Sequence, residues 1–184
     1  MSFLSTILNL FGTKSQRDMK SLLPLSEDVL KHASEFKKLS NDELRLKTGH
    51  FKSQISEINK KFDKEIGELK IQAKKESNRD IQETLYKKID DLNQAQHIEV
   101  NQHLDKIQCE AFALIKETAT RFNNEKTIEV EATELDTRLS NEWDYISISQ
   151  GKAIWNTQWN SGGVLRKWDM IHYDVQLIGG LVLH

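Results

Sequence analysis

The sequence predicts a mainly α-helical protein that contains a long antiparallel helical hairpin and a small β-rich insertion. Three observations lead to this fold class. The chain has 1 proline and 8 glycines in 184 residues, a composition that permits long helices. Apolar residues recur at steps of three and four from Leu44 to Leu114. Single alternation of apolar and polar residues, which is typical of strands, begins only after Asn123.

The first element is a predicted amphipathic helix over residues 1–12, which Gly12 is placed to end. It lacks the basic start and the cleavage site of a signal peptide, and it is too short to span a bilayer. Its apolar face could lie in lipid headgroups as an interfacial anchor or dock on the protein's own core. The residues of this face are Phe3, Leu4, Ile7, Leu8 and Phe11.

Residues 13–122 are predicted to form a helical region. Pro24 lies inside the helical pattern of residues 15–39 and predicts a break or kink, because proline lacks the backbone N–H that the helix needs. Ser40 and Glu43 have the spacing of a capping box, in which each side chain accepts from the other residue's backbone N–H. A new helix is therefore expected to begin at Asn41.

The hairpin is predicted from two apolar stripes, at approximately 41–75 and 80–121, separated by the polar stretch ESNRD at 76–80. Two such helices with a short connection are expected to fold back on each other in antiparallel order. The hairpin could reach out to a partner, or it could be a coiled coil that packs only on itself.

Residues 123–168 are predicted to form a small β-rich insertion. Strand patterns occur in TIEVEA, DYISIS, KAIWNTQW and VLRKW, and Gln150-Gly151 can turn the chain between the second and the third. The four tryptophans all lie here and could either stack on bases or peptide or supply the insertion with a core. They are Trp143, Trp155, Trp159 and Trp168.

Composition argues against several functional classes. Lys and Arg number 26 against 28 Asp and Glu, a net charge of −2, and the two signs alternate along the chain, which disfavours a general nucleic-acid binder. The single cysteine, Cys109, excludes an intrachain disulfide and lies in an apolar stripe, where a thiol is usually inert. The sequence holds no G-x-S-x-G and no G-x-x-x-x-G-K-[ST] motif.

Histidine chemistry is equally sparse. The 6 histidines form no i,i+4 pair and no cluster with Cys109, so no metal site is predicted. His172 with Asp174 is the only histidine–carboxylate neighbourhood near the distinctive carboxyl-terminal stretch, and such pairs are more often structural.

Four stretches together resemble one family. LNLFG near the start, KLSNDELRLKTGHF at 38–51, EAFALIKETATR at 110–121 and HYDVQLIGGLVLH at 172–184 are similar, in order and character, to the amino-terminal part of the SecA family of bacterial preprotein translocase ATPases. The resemblance covers about half of the chain. Residues 56–108 and 123–166 look like two insertions, which resemble those of SecA from Bacteroidetes-type bacteria.

The resemblance implies a function and a set of ligands. SecA proteins are ATP-driven motors with two RecA-like domains that push unfolded preproteins through the SecYEG channel, so 169–184 would be the start of a nucleotide-binding domain. By this resemblance the ligand is ATP and the partners are SecYEG, preprotein and acidic phospholipid. The charge balance predicts no nucleic-acid partner, and a homodimer stays open because an incomplete domain can expose surfaces that the full protein covers. The protein would be cytoplasmic and peripheral on the cytoplasmic face of the inner membrane. The apolar face of residues 1–12 would then contact lipid and translocon.

The resemblance also assigns site residues. Gln176 matches the glutamine that contacts adenine, whereas on its own this glutamine would be interpreted as a buried, satisfied amide. Met170 matches a position beside the adenine ring, and Ile171 stands where some members have arginine. Gly179 and Gly180 lower helix propensity, so close packing of this helix against the nucleotide-binding core is expected.

The same resemblance predicts that the chain is truncated, since the phosphate loop would lie beyond His184 and the chain alone would not hydrolyse ATP. No catalytic residue is therefore assigned. A second function remains open from the residues alone. A helical, membrane-peripheral or oligomerising interaction protein, whose hairpin is the working part, would show the same patterns without any enzymatic role.

Overall fold

The computed structural model describes the backbone of residues 13–183 and the side chains of residues 23–183. Residues 1–12, with the predicted anchor face, lie outside this range. Three helices come first: α1 at Thr13–Phe36, α2 at Asn41–Lys75 and α3 at Arg79–Asn124. Among the described residues, 13–45 and 109–183 belong to one compact unit, and Leu46–Gln108 forms a second.

Helix α1 runs through Pro24 without interruption, so the predicted break is wrong. Proline removes one backbone hydrogen bond, but packing of the helix on its neighbours outweighs that local cost. The packed face follows Pro24 at helical spacing and consists of Ser26, Val29, Ala33 and Phe36.

Helix α2 begins at Asn41, as the capping box predicts. The Ser40 backbone N–H donates to Glu43 Oε2 at 2.7 Å, and the Glu43 N–H donates to Ser40 Oγ at 3.2 Å. The hydrogen bonds from Ser40 also lower the pKa of Glu43, because they favour the ionised carboxylate.

Arg121 of α3 connects the ends of the other two helices. Its guanidinium donates to the carbonyls of Phe36 and Leu39 at 2.9 and 2.8 Å, at the point where α1 ends and the turn to α2 begins. It also donates to Asn41 Oδ1 at 2.7 Å and to the buried Glu117 carboxylate at 2.9 Å. One cation therefore fixes the turn between α1 and α2 on α3.

The unit Leu46–Gln108 consists of the remaining parts of α2 and α3 and the three residues between them. Lys61 donates to Glu99 at 2.7 Å, Gln96 to Asp63 Oδ1 at 3.0 Å, and Gln82 to the Ala73 carbonyl at 2.9 Å. Residues later in α2 pair with residues earlier in α3, so the two helices are antiparallel. The buried apolar residues recur at steps of seven or eight on α2: Phe51, Ile58, Ile66 and Ala73.

The β-rich region holds five strands: β1 at Thr127–Glu131, β2 at Ile146–Ser149, β3 at Lys152–Asn156, β4 at Gln158–Ser161 and β5 at Val164–Lys167. The first three form an antiparallel sheet in the order β1-β3-β2, and β4 pairs with β5 in a separate ribbon. Gln150 and Gly151 turn β2 into β3 with φ of 50° and 79°, as a tight hairpin requires.

The sheet packs one face on Phe122 of α3, and Trp155 lies in that contact. Trp168 also supports it, since its ring centroid is 5.7 Å from that of Phe122. Trp143, by contrast, is 49% exposed, so only some of the tryptophans serve as core. The apolar residues at the centre of this face are Ile128, Val130 and Ala153.

Helix α4 at Glu134–Ser140 was not predicted. Thr133 and Asp136 form its capping box, the same signal that marks α2, but the helix has only 7 residues and no apolar period to extend it. Asp136 is fully buried and accepts from Arg45 at 2.6 Å, Thr133 Oγ1 at 2.7 Å and Trp155 Nε1 at 3.1 Å.

The first turn of α2 covers the outer edge of β1. The Asn41 amide donates to the Glu129 carbonyl at 3.2 Å, the Glu131 N–H donates to Asp42 Oδ1 at 2.7 Å, and Arg45 donates to the Glu131 carbonyl at 3.2 Å. The edge strand is thereby protected from pairing with other chains. Last comes α5 at Asp174–Leu183, which contacts α1.

We predict that Arg121→Ala lowers the free energy of unfolding by about 3–5 kcal/mol, because it removes the Arg121 partner of the buried Glu117 carboxylate and the donor to the Leu39 carbonyl. Arg79→Ala is the control, since Arg79 pairs with Glu83 on the exposed surface and should change stability by less than about 0.5 kcal/mol. Urea denaturation of the 184-residue chain, followed by circular dichroism, measures both. Equal effects of the two substitutions would show that the Arg121 contacts contribute little.

We also predict a pH-dependent contribution from Asp136. Burial raises the pKa of this carboxyl, but the hydrogen bonds from Arg45 and Thr133 outweigh it and lower the pKa from 3.8 to about 2. The ionised form therefore stabilises the fold by about 2 kcal/mol above pH ~4, and this is lost as the pH falls towards ~2.

The test for Asp136 compares Asp136→Asn with Asp144→Asn, a substitution of an exposed aspartate. Asp136→Asn should lower stability near neutral pH and flatten its dependence on pH between about 4 and 2, whereas Asp144→Asn should leave both unchanged. Unfolding curves collected across that range measure the difference. A wild-type slope in Asp136→Asn would contradict the assignment.

Candidate functional site

The candidate site is formed by the segment that joins β5 to α5 and by the first turn of α5. Helix α5 buries Leu177, Ile178 and Leu181 on one face. Gln176 lies off that face and is exposed, so its interpretation as a buried amide is wrong. The residues of α5 that face the core are set by the rotation of the helix about its axis, and an almost uniformly apolar sequence does not reveal this rotation.

Gln176 has a defined orientation although it is exposed. Its Oε1 accepts a 2.9 Å hydrogen bond from the backbone N–H of Tyr173, the residue before α5. This is the reach-back half of a capping box, and it satisfies one of the free donors at the start of the helix. This hydrogen bond uses one lone pair of Oε1, and the carboxamide N–H donors take no part in it.

Met170 lies in the segment before α5 and its side chain is 54% exposed. The segment is fixed at its beginning by Trp168, whose backbone N–H donates to the Thr157 carbonyl at 2.9 Å and whose Nε1 donates to the Met170 carbonyl at 2.8 Å. Ile171, which follows, is half-buried. The thioether of Met170 is therefore available for contact with a ligand.

Lys116 of α3 holds the other end of this segment. Its Nζ donates to the His172 carbonyl and lies 3.7 Å from Asp174 Oδ1. The predicted His172–Asp174 neighbourhood is thus organised by a lysine that the sequence did not single out. The His172 Nδ1 atom is buried and has no hydrogen-bond partner among residues 23–183.

The two glycines of α5 have different surroundings. A Cβ built on Gly180 would lie 2.6 and 2.8 Å from two ring atoms of Phe112, so α3 and α5 approach closely there. A Cβ on Gly179 would meet nothing within 4 Å. The expected close packing of this helix therefore occurs at Gly180, against this chain's own α3, and not at Gly179.

A separate open groove of about 730 Å³ lies where Arg121 meets the turn before α2, and it includes neither Gln176 nor Met170. No group of three or more potential metal ligands occurs among the described residues. Burial raises the pKa of the Cys109 thiol, and the neighbouring Asp28 charge adds to this, so the thiol is protonated at neutral pH. Nothing in the described part of the chain forms a helix long and apolar enough to cross a membrane.

The class of domain is defined by comparison with known proteins. Residues 7–184 match the family model described as SecA DEAD-like domain, which indicates a nucleotide-binding class. Proteins named protein translocase subunit SecA are similar over the whole chain: those of Christiangramia forsetii and Porphyromonas gingivalis are each 40% identical and that of Flavobacterium psychrophilum is 42% identical. No solved structure matches the chain.

The chain therefore belongs to the SecA family. These relatives are Bacteroidetes proteins, so the resemblance is confirmed. Their matches cover 100% of the chain and therefore include both stretches interpreted as insertions. The chain spans only 16–17% of the length of these relatives.

We predict that alanine has opposite effects at the two glycines of α5. Gly179→Ala should raise the free energy of unfolding by up to about 1 kcal/mol through helix propensity, because there is space for the methyl group. Gly180→Ala should lower it by about 1–2 kcal/mol, because the clash with Phe112 exceeds the same gain. Phe112→Leu should reduce the cost of Gly180→Ala in a double-mutant cycle. Equal effects at both positions in denaturant unfolding would contradict the close contact.

Proposed function

We propose that this chain forms the amino-terminal part of an ATP-driven motor that pushes unfolded preproteins through the SecYEG channel across the bacterial inner membrane. Membership of a family whose relatives are named protein translocase subunits supports a role in protein translocation. The observation that carries the nucleotide part of the proposal is the exposed, oriented carboxamide of Gln176 at the start of α5.

The free groups of Gln176 fit adenine. Its amide N–H can donate to N7 of the ring, while the second lone pair of Oε1 accepts from the N6 amine. Guanine carries an acceptor, O6, where adenine carries the amine, so the same carboxamide would meet two acceptors and bind guanine less well. The exposed thioether of Met170 is polarisable and can pack on the ring.

Bound ATP would supply the free energy for movement. The chain contains no P-loop motif, so we propose that these residues contribute to binding the base and that the 184-residue chain alone does not hydrolyse ATP. Residues 169–184 would then begin a RecA-like nucleotide-binding domain, preceded by an amphipathic helix at 1–12, a helical region at 13–122 and the β-rich insertion at 123–168.

We further propose that the partners are SecYEG, preprotein and acidic phospholipid, and that the protein works in the cytoplasm and on the cytoplasmic face of the inner membrane. The apolar face of residues 1–12 would make the contact with lipid and translocon, as an amphipathic helix can. We propose no nucleic-acid partner, because the chain has a net charge of −2. Family membership favours this function over a non-enzymatic interaction protein.

We predict that Gln176→Ala in the full-length gene product weakens ADP binding about tenfold and reduces the preference for ADP over GDP. Gln176→Glu should also weaken ADP binding, because it keeps the acceptor but removes the donor to N7. Gln158→Ala is the control, since Gln158 is an exposed glutamine of β4. Competition of ADP and GDP against a fluorescent nucleotide measures both affinities. An unchanged ratio in Gln176→Ala would overturn the role in adenine recognition.

A further inference from the structure

One peptide group connects Lys116 to Gln176. The carbonyl of His172 and the N–H of Tyr173 belong to the same planar peptide unit, in which the two groups point in opposite directions. Lys116 Nζ donates to that carbonyl, and Gln176 Oε1 accepts from that N–H at 2.9 Å. The orientation of the Gln176 carboxamide therefore depends on a peptide plane that Lys116 holds from α3.

Lys116 is well placed to hold this peptide firmly. Its side chain is only 18% exposed, and the ammonium also lies 3.7 Å from the Asp174 carboxylate, so it contacts the residues on both sides of Tyr173. A cation that donates to a carbonyl polarises the peptide and strengthens its N–H as a donor, because linked hydrogen bonds reinforce each other.

A second contact from the same face of α3 restricts α5 further along. Phe112 precedes Lys116 by four residues, so the two side chains share a helix face. The Phe112 ring meets α5 at Gly180, beyond Gln176. Gln176 thus lies between two points at which α3 contacts this segment.

We infer that Lys116 is a positioning residue for adenine recognition: by holding the His172–Tyr173 peptide it orients the Gln176 carboxamide and so contributes to the preference for adenine over guanine nucleotides. This inference rests on the proposed adenine role of Gln176. Lys116 itself need not touch the nucleotide, since its effect passes through the peptide.

The test uses the full-length gene product and two variants of Lys116. Lys116→Met keeps the length of the side chain but removes the charge and the donor, and it should reduce the ratio of ADP to GDP affinity about five- to tenfold. Lys116→Arg keeps a cationic donor and should restore most of the ratio. Lys126→Met, at an exposed lysine, is the matched control and should leave it unchanged.

A second measurement does not depend on nucleotide. In the nucleotide-free protein, the Tyr173 amide should exchange with deuterated solvent several times faster in Lys116→Met than in the wild type, while Lys126→Met matches the wild type. This readout reports how well the hydrogen bond to Gln176 Oε1 protects the Tyr173 N–H. It also identifies partial unfolding of Lys116→Met, because unfolding would speed exchange throughout α3 and α5 and not at the start of α5 alone.

The outcomes separate the inference from the proposed function. If Gln176→Ala reduces the ADP preference but Lys116→Met changes neither the preference nor the exchange, the positioning role is wrong and the adenine role stands. Equal loss of ADP and GDP affinity in Lys116→Met, with unchanged exchange, would likewise overturn positioning. If Gln176→Ala leaves the preference unchanged, the proposed adenine role fails, and the inference fails with it.

Discussion

The hydrogen bonds of Arg121 are the constraint on which the rest of the described fold depends. A single guanidinium, only 11% exposed, donates to the carbonyls of Phe36 and Leu39, to the side chain of Asn41 and to the carboxylate of Glu117. Asn41 also contacts the sheet, because its side-chain amide donates to the Glu129 carbonyl of β1. Three helices and a sheet edge are thereby joined through polar contacts that leave few buried groups unsatisfied.

The ion pair between Asp136 and Arg45 likewise joins separate elements in the β-rich region. Asp136 is buried on a short helix, and it accepts from Arg45, Thr133 and Trp155. Removing such a charge from water is costly, and only a full set of donors offsets the cost. The shared partner Arg45 also binds the backbone of β1, so the helix, the sheet and the start of α2 stabilise one another. This arrangement gives a small region with a modest apolar core a defined structure.

Local signals in the sequence were sufficient for much of the fold. The capping box of Ser40 and Glu43, the alternation of β1 and the turn at Gln150 each depend on neighbouring residues, and each prediction is confirmed. Other features depend on contacts between residues that are distant in sequence. These features are the continuity of α1 through Pro24, the exposure of Gln176 and the hydrogen bond from Lys116 to the His172 carbonyl. Lys116 and His172, for example, are 56 positions apart, and no pattern along the chain relates them.

The division of the chain into two units has a consequence for biosynthesis. The unit that contains α1 is discontinuous in sequence, because residues 46–108 lie between its two parts. On the ribosome, the buried apolar residues of α1 are synthesised before Cys109 and Arg121 of α3, which contact the Leu25 and Phe36 carbonyls. Elongation at roughly 5–20 residues per second delays these α3 residues by several seconds. The nascent chain therefore exposes an apolar helix face for that time, and the arrival of Arg121 marks the moment at which this unit can close.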